Sequence, residues 1–408
     1  MSITAPNTHN RNFLAYWTAV GTSQLGSAVT IVVVPLVAVV TLHAGLGQMA
    51  WLAAMGTLPV LLIRIPAAMW ADSLANRLPY MIACNLLQAV IVGLVPLLWW
   101  WGALNFVLLL VLQGLAALLL GVYASLATPV VVQIVPKERL VDANGKLNTT
   151  RSVADITGPA ISSGLLAVLA APLVLLVDCV SFLLSALLLR RIRIEAPERQ
   201  PGGRGGGATG ELWQIAKFLA PRSGIQALII VTLVNGLVDT ILMLYLVHEL
   251  RIGSALIGAL IALGAVGGVS GGLVVGRLLD KFGPARTLTI SAVLTILSLA
   301  LLPFAGPGVT GAAAVVLFEF AGSFGGTILI STVFGTLQGA AKGEQVARVM
   351  AMAGTSMQVS ALAGVGLGGL LGTWLDLRQL MSVAAGLLVA GLVVQIVRFA
   401  AARAEAAP

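Results

Sequence analysis

"GRLLDKFGPAR", residues 276–286, gathers Arg277, Asp280, Lys281 and Arg286 into eleven residues of a chain that is only 9% charged. Long apolar runs stand on both sides of it. A counterpart lies 208 residues upstream: "WLAAMGTLPVLLIRIPAAMWADSLANR" (51–77) aligns without a gap on "ALIALGAVGGVSGGLVVGRLLDKFGPA" (259–285). Gly56 then meets Gly264 and Asp72 meets Asp280. A weaker echo sets "SSGLLA" (162–167) against "LGGLLG" (367–372). A period of half the chain with matching hydropathy reads as two parallel repeats, the arrangement in which two helical bundles rock about a midplane site.

Composition puts that repeat in a membrane. The chain has 408 residues, 59% of them hydrophobic, and 46 glycines, with a mean hydropathy of +1.02. A soluble domain keeps about a quarter of its residues charged, far more than are found here. The net charge of +8 is spread over short loops and makes no continuous stripe, which argues against a nucleic-acid partner. Cys84 and Cys179 both lie in apolar runs. They form no disulfide framework and lack metal-ligand spacing, so neither a metal nor a cofactor is expected. The polar start "MSITAPNTHNRN" leads into an apolar run from about residue 13 to 42. That run is too long for a signal-peptide core and reads as a membrane helix kept in the mature protein.

A helix needs about 20 apolar residues to cross a bilayer. Breaking the chain at charges and turn signals predicts twelve spans: 14–41, 47–70, 79–101, 103–134, 147–170, 172–190, 224–249, 254–279, 286–305, 309–338, 349–375 and 378–400. The expected fold is therefore an all-α membrane protein of two pseudo-symmetric six-helix bundles, residues 1–190 and 223–408. Between them, residues 191–222 hold the Gly-rich "PGGRGGGATG" and then Leu212, Trp213, Ala216 and Leu219 at helical spacing. This reads as a flexible linker followed by a short amphipathic helix on the membrane surface. With loops assigned to alternate sides, 20 Lys and Arg fall on one side and Arg251 and Arg378 on the other, with Arg64 inside a span. The positive-inside rule then makes both termini cytoplasmic. Trp51, Trp99, Trp100, Trp101 and Trp374 all fall at the opposite interface.

The second charged loop, Gly276-x-x-x-Asp280-Lys281-x-Gly283 followed by Arg286, resembles the signature loop of the major facilitator superfamily. Twelve spans and the six-plus-six repeat extend that resemblance over nearly the whole chain. "SQLGSAV" (23–29), "LVDANGKLNTTRSVADITGP" (140–159) and "LVDCVSFLLSALLLRRIR" (176–193) look like the drug:proton antiporter branch, which includes bacterial macrolide and siderophore exporters. The resemblance implies a monomeric multi-pass protein of the bacterial cytoplasmic (inner) membrane that exports an amphipathic small molecule by alternating access, with protons as the coupling ion. An importer or facilitator of a small metabolite on the same fold, or a non-transporting membrane receptor, are the alternatives. In the first copy of the loop Ala68 stands at the glycine position, Ser73 replaces the basic residue after Asp72, and of the basic cluster Arg77 alone remains. By resemblance, Asp72, Arg77, Gly276, Asp280, Lys281, Gly283 and Arg286 form a cytoplasmic gate. Without it, they are topological anchors.

No G-x-x-x-x-G-K-[ST] phosphate loop occurs, so the energy source would be an ion gradient. The "GVSG" at 268–271 fits a rhomboid-type serine pattern, but His9, His43 and His248 all precede Ser270, and no enzyme is expected. Ionisable groups inside spans are costly and mark functional candidates. Four acids qualify for proton coupling: Asp239, Glu319, Asp178 and Asp155. The resemblance implies that spans one, four, seven and ten line a cavity, which puts Asp239 and Glu319 first, as proton carriers or as sites for a cationic substrate. Asp178, in span six, is read as a structural hydrogen-bonding group, and Asp155 as the i,i+4 partner of Arg151. Gln24, Gln113, Asn235 and Phe318 are candidates for lining the substrate cavity, with interhelical hydrogen bonds the rival account of the amides. Two residues common in the family are missing: Leu110 stands three residues before Gln113-Gly114 where an arginine is usual, and Ser27 lies where span one often carries an acid. Glycine runs in spans eight and eleven are expected to be sliding interfaces between the halves.

Overall fold

The computed structural model describes residues 8–136, 139–192, 223–340 and 345–405, and all their regular structure is helical. Helix α1 (Thr8–Leu36) is prolonged by a π-helical turn at Val37–Thr41. It is followed by α2 (Leu46–Ser73), α3 (Leu78–Trp100), α4 (Phe106–Ile134), α5 (Leu140–Leu166) and α6 (Ala171–Leu189). Helix α7 (Ser223–Leu244) is likewise prolonged by a π-helical turn, Tyr245–Glu249. The stretch Ser254–Ala300 breaks at Gly283 into α8 (254–282) and α9 (284–300). Helices α10 (Val309–Ala340), α11 (Gln345–Leu371) and α12 (Leu377–Glu405) complete the chain.

Among the described residues, nine helical segments are long and apolar enough to cross a membrane, and one of them, Ser254–Phe304, holds both α8 and α9. The remaining two predicted spans correspond to α5 and α11, each of 27 residues. At about 1.5 Å per residue these reach across a bilayer, though they are more polar. The predicted fifth span starts at residue 147, whereas α5 starts at Leu140. Asp142 and Lys146, expected to mark a loop, instead pair at 3.0 Å one turn apart on an exposed helix face. The "AAP" break holds: Ala170 is extended (φ −64°, ψ 143°) and Pro172 sits in the first turn of α6. Residues 193–222, with most of the predicted linker and its surface helix, lie outside the described residues.

The described residues group into two compact units, one within Met1–Ala44 and Ala54–Gly203 and the other within Gly45–Ala53 and Arg204–Pro408. The 208-residue repeat is written into the backbone of both. The π-helical turn begins at Val37 and again at Tyr245. Leu42 N–H donates to Val37 O and Ala44 N–H to Ala38 O; Leu250 and Ile252 repeat both bonds with Tyr245 and Leu246. His43 (φ 54°) and Arg251 (φ 52°) follow, the two non-glycine residues with positive φ among those described. Each costs on the order of 1–2 kcal/mol relative to ordinary backbone. The next helix then starts at Leu46 and at Ser254.

Helix ends follow from their side chains. The Asn105 side chain accepts from Leu108 N–H at 3.0 Å and caps α4. Asp376 and Gln379 accept from each other's N–H at 2.7 and 3.2 Å, a reciprocal cap for α12. Within the second unit, glycines set the packing. A Cβ on Gly364 would collide with Leu233 O, one on Gly236 with Ala361 O, and one on Gly267 with Phe320 O. These α7–α11 and α8–α10 contacts are backbone against backbone, so these glycines form interfaces inside one bundle, whereas Gly369 and Gly372 of α11 face Ala50 and Leu46 of α2.

The charged loop at 276–286 turns at Gly283, whose φ of 71° and ψ of 169° lie in a region essentially closed to L-residues. Gly276, helical and with open space at its Cβ position, has no such need. Gly283→Ala should lower unfolding stability by about 1–3 kcal/mol, while Gly276→Ala leaves it unchanged or slightly higher. Thermal unfolding of the purified variants measures the difference.

Candidate functional site

Helix α7 presents two polar residues one turn apart. Asn235 and Asp239 are exposed, whereas Gly236, Leu237, Val238 and Thr240 between and beside them are buried. On α10 of the same unit, Glu319 is half-buried against α8. A Cβ on Gly264 would lie 2.5 Å from Glu319 Oε2 and 3.2 Å from Ser323 Oγ. Glycine at 264 therefore makes a seat for the carboxyl group, with the Ser323 hydroxyl beside it. Asp239 is near enough for the two carboxylates to repel each other. Among the described residues the ion pairs are Asp142–Lys146 and Glu249–Arg378, so neither acid has a cationic partner there. Two like charges within one helical bundle disfavour each other's ionised form. One proton or one substrate cation relieves that repulsion, which is what the arrangement can do chemically.

The first unit has the same seat without the charge. Gly56, the repeat partner of Gly264, faces Gln113 on α4, whose Nε2 would lie 3.1 Å from an added Cβ. Gln24, on α1, has a buried Oε1 with no hydrogen-bond partner among the described residues. Phe318 is half-buried beside Glu319, while Phe320 is exposed and stacks on Phe324 with ring centroids 6.3 Å apart.

The other candidates separate from this pair. Asp178, 1% exposed, accepts from Thr30 Oγ1 on α1 and lies 3.0 Å from Ser181 Oγ. Asp155 is exposed, and the ion pair expected with Arg151 is absent among the described residues. Exposed helix pairs contribute only about 0.3–0.5 kcal/mol, too little to hold two flexible side chains together. Arg64 is exposed on α2.

At the gate positions, Asp72, Asp280, Arg277 and Arg286 are exposed, and neither aspartate is ion-paired among the described residues. The Lys281 ammonium lies 5.2 Å from the Phe282 ring. Arg77 Nε donates to Ala71 O at 2.9 Å, a cation at the carbonyl end of α2 where the helix dipole favours it. Sequence reasoning missed Thr30 and Ser181 as partners of Asp178 and Ser323 as a neighbour of the Gly264 seat. For Ser181 a signal existed, since 178, 181 and 185 form a polar stripe at helical spacing. Among the described residues no group of three or more His, Cys, Asp or Glu gathers as a metal site would need.

The sequence profile described as Major Facilitator Superfamily matches residues 16–342 and again 227–407. No curated relative matches at a significant level. Among solved structures, the nucleoside transporter NupG superposes with a TM-score of 0.73 at 12% identity, covering 97% of this chain and 99% of that one. A bacterial homologue of the iron transporter ferroportin, inward-facing, gives 0.71 at 18% identity over 98% and 99%. A bacterial homologue of the human lysosomal transporter Spinster, inward-facing and occupied, gives 0.68 at 15% over 97% and 96%. At such identities the likeness is one of fold.

The α8–α10 contact beside the seat can be tested by size. Gly267→Ala should destabilise the protein by about 1–3 kcal/mol, because its Cβ would strike the backbone carbonyl of Phe320. Gly272→Ala meets only Thr327 Cγ2 at 3.9 Å and should be near neutral. Thermal unfolding of the two variants side by side measures the contrast.

Proposed function

The chain belongs to the Major Facilitator Superfamily, and from that membership we propose that it exports an amphipathic small molecule, a drug, antibiotic or siderophore, by proton antiport. The coarser statement stands on the family match and the solved neighbours: this is a multi-pass membrane transporter and not an enzyme. The observation that carries proton coupling is the Asp239–Glu319 pair, two carboxyl groups of one bundle within reach of each other's charge and without a cation. Substrate entry and proton release then alternate at the pair, because a cationic group and a proton each remove the same repulsion.

Export draws on the branch-like segments at 23–29, 140–159 and 176–193. The Gly56–Gln113 seat and Gln24 offer neutral hydrogen-bonding groups from the first unit, suited to the polar edge of an amphipathic substrate. The cytoplasmic face, by the distribution of Lys and Arg, is the side of both termini and of the charged loops at Asp72 and Asp280, which we assign to gating. A monomer in a bacterial inner membrane is the corresponding setting. Import is the second reading, favoured by the resemblance in fold to a nucleoside transporter.

Purified protein in liposomes decides among these, with a panel of macrolides, cationic dyes and siderophores and a pH-sensitive dye inside. Wild type should show substrate-triggered proton flux, and Glu319→Gln or Asp239→Asn should reduce it to the level of empty liposomes. Substrate movement with no proton flux in wild type would replace antiport with facilitated diffusion. Uptake along an inward proton gradient would replace export with import.

A further inference from the structure

Asp178 presents a problem that the transport reading does not absorb. It is 1% exposed in the middle of α6, and no basic side chain pairs with it among the described residues. An ionised carboxylate left there without a counter-charge would cost several kcal/mol. Its surroundings are hydroxyls. Thr30 Oγ1, across the helix interface on α1, donates to Oδ2. Ser181 Oγ lies 3.0 Å from Oδ1 and 2.8 Å from the Asp178 backbone carbonyl, and the Ser27 hydroxyl of α1 is a third hydrogen-bonding partner of the carboxyl group. Gly26 on α1 makes the approach possible, since a Cβ there would strike Ser181 Oγ and Asp178 Oδ1.

The hydroxyl hydrogens around the carboxyl group accommodate a neutral acid. Ser181 has one hydroxyl hydrogen and two acceptors in range, the backbone carbonyl at 2.8 Å and Oδ1 at 3.0 Å. If that hydrogen goes to the nearer carbonyl, the Oδ1···Oγ contact is a hydrogen bond only when Oδ1 carries a hydrogen of its own. The chain then closes without a gap: Thr30 donates to Oδ2, Oδ1–H donates to Ser181 Oγ, and Ser181 donates to the Asp178 carbonyl. Every group is satisfied and no net charge is buried. Cys179 on α6, Cys84 on α3 and Tyr16 on α1, whose hydroxyl donates to Ala127 O, share the packed helices, and the charged groups of α1 and α5, Arg11, Asp142, Lys146, Arg151 and Asp155, are exposed. One turn further along α6, Asn85 Nδ2 of α3 donates to Ser185 Oγ at 2.9 Å, so the same polar stripe fastens α6 to two neighbours.

We propose that Asp178 is a positioning residue that works as a neutral carboxylic acid, clasping α1 to α6 through Thr30, Ser181 and the space left by Gly26, and that it keeps its proton through the transport cycle. It holds in register the helix that carries Gln24, and it takes no part in proton exchange. The inference does not depend on which substrate moves or in which direction.

Asparagine reproduces the hydrogen-bonding pattern of a neutral aspartic acid: its Oδ1 accepts from Thr30 and its Nδ2–H donates to Ser181. Full-length Asp178→Asn in liposomes should therefore keep the wild-type unfolding midpoint and transport within about twofold of wild type. Asp178→Ala should lower the midpoint by several degrees. Infrared spectra of wild type should contain a protonated-carboxyl C=O band that persists across the pH range used for transport and disappears in Asp178→Asn. That spectrum reads the acid even if the alanine variant fails to fold. Three results would overturn the proposal: loss of stability in Asp178→Asn equal to that in Asp178→Ala, loss of proton flux in Asp178→Asn at an unchanged midpoint, or absence of the band in wild type. Failure of Glu319→Gln to affect proton flux would count against the coupling pair and leave this clasp untouched.

Discussion

Two apolar helices in a bilayer gain nothing by leaving water, so they hold together by close packing and by the few hydrogen bonds they exchange. In this protein that packing is made at glycines. Gly236 and Gly364 bring α7 and α11 together at the level of their carbonyls, and Gly267 and Gly271 do the same for α8 and α10. In the first unit Gly158 faces Ala28 across α5 and α1, and Gly121 faces Val60 and Ile63 across α4 and α2. The polar residues that matter sit where this contact leaves space. Glu319 occupies the gap over Gly264, Gln113 the gap over Gly56, and Asp178 the gap over Gly26. Glycine sets the distance between helices, and that distance sets which side chains can meet.

The two halves share a scaffold and differ in charge. The seat formed by the second helix of each repeat holds an amide in the first half and a carboxyl group in the second, and Asp239 adds a second acid only there. The buried acid of the first half, Asp178, is saturated by hydroxyl groups. The chain thus places an amide at the seat of one unit and a carboxyl group at the seat of the other. A strict two-fold copy would have placed a carboxylate pair in each.

Much of the fold was legible because hydropathy and charge carry it. The 208-residue repeat was visible in the alignment of 51–77 on 259–285, and the positions of the long helices followed from apolar length. Errors arose where charge was taken as a loop: Asp142 and Lys146 belong to a helix that starts in polar surroundings. The candidate site was half legible. Asp239 and Glu319 stood out as acids inside apolar runs, but nothing in their spacing, 80 residues apart in the chain, said that their charges would meet. The partners of Asp178 were hidden for a similar reason, since Thr30 lies 148 residues away and resembles any other threonine in a membrane helix. Glycine patterns announced close contact without naming the partner helix: most meet a helix of their own bundle, while Gly369 and Gly372 meet Ala50 and Leu46 of α2.

The π-helical turns at Val37–Thr41 and Tyr245–Glu249 have a geometric consequence. Each admits one residue more than an α-helical turn, and one residue corresponds to about 100° of rotation around the helix axis. A helical wheel drawn straight through α7 would therefore misplace everything after Tyr245. The phase reset helps turn Glu249 toward Arg378, 3.8 Å away, while Arg378 also donates to Ala305 O and Tyr245 donates to Leu302 O. The same reset occurs at the same point of α1, where the residues are Val37 and Thr41 and no such charges are present. Periodicity along these two helices has to be counted in two separate frames, one on each side of the turn, and a face inferred from one frame does not carry into the other.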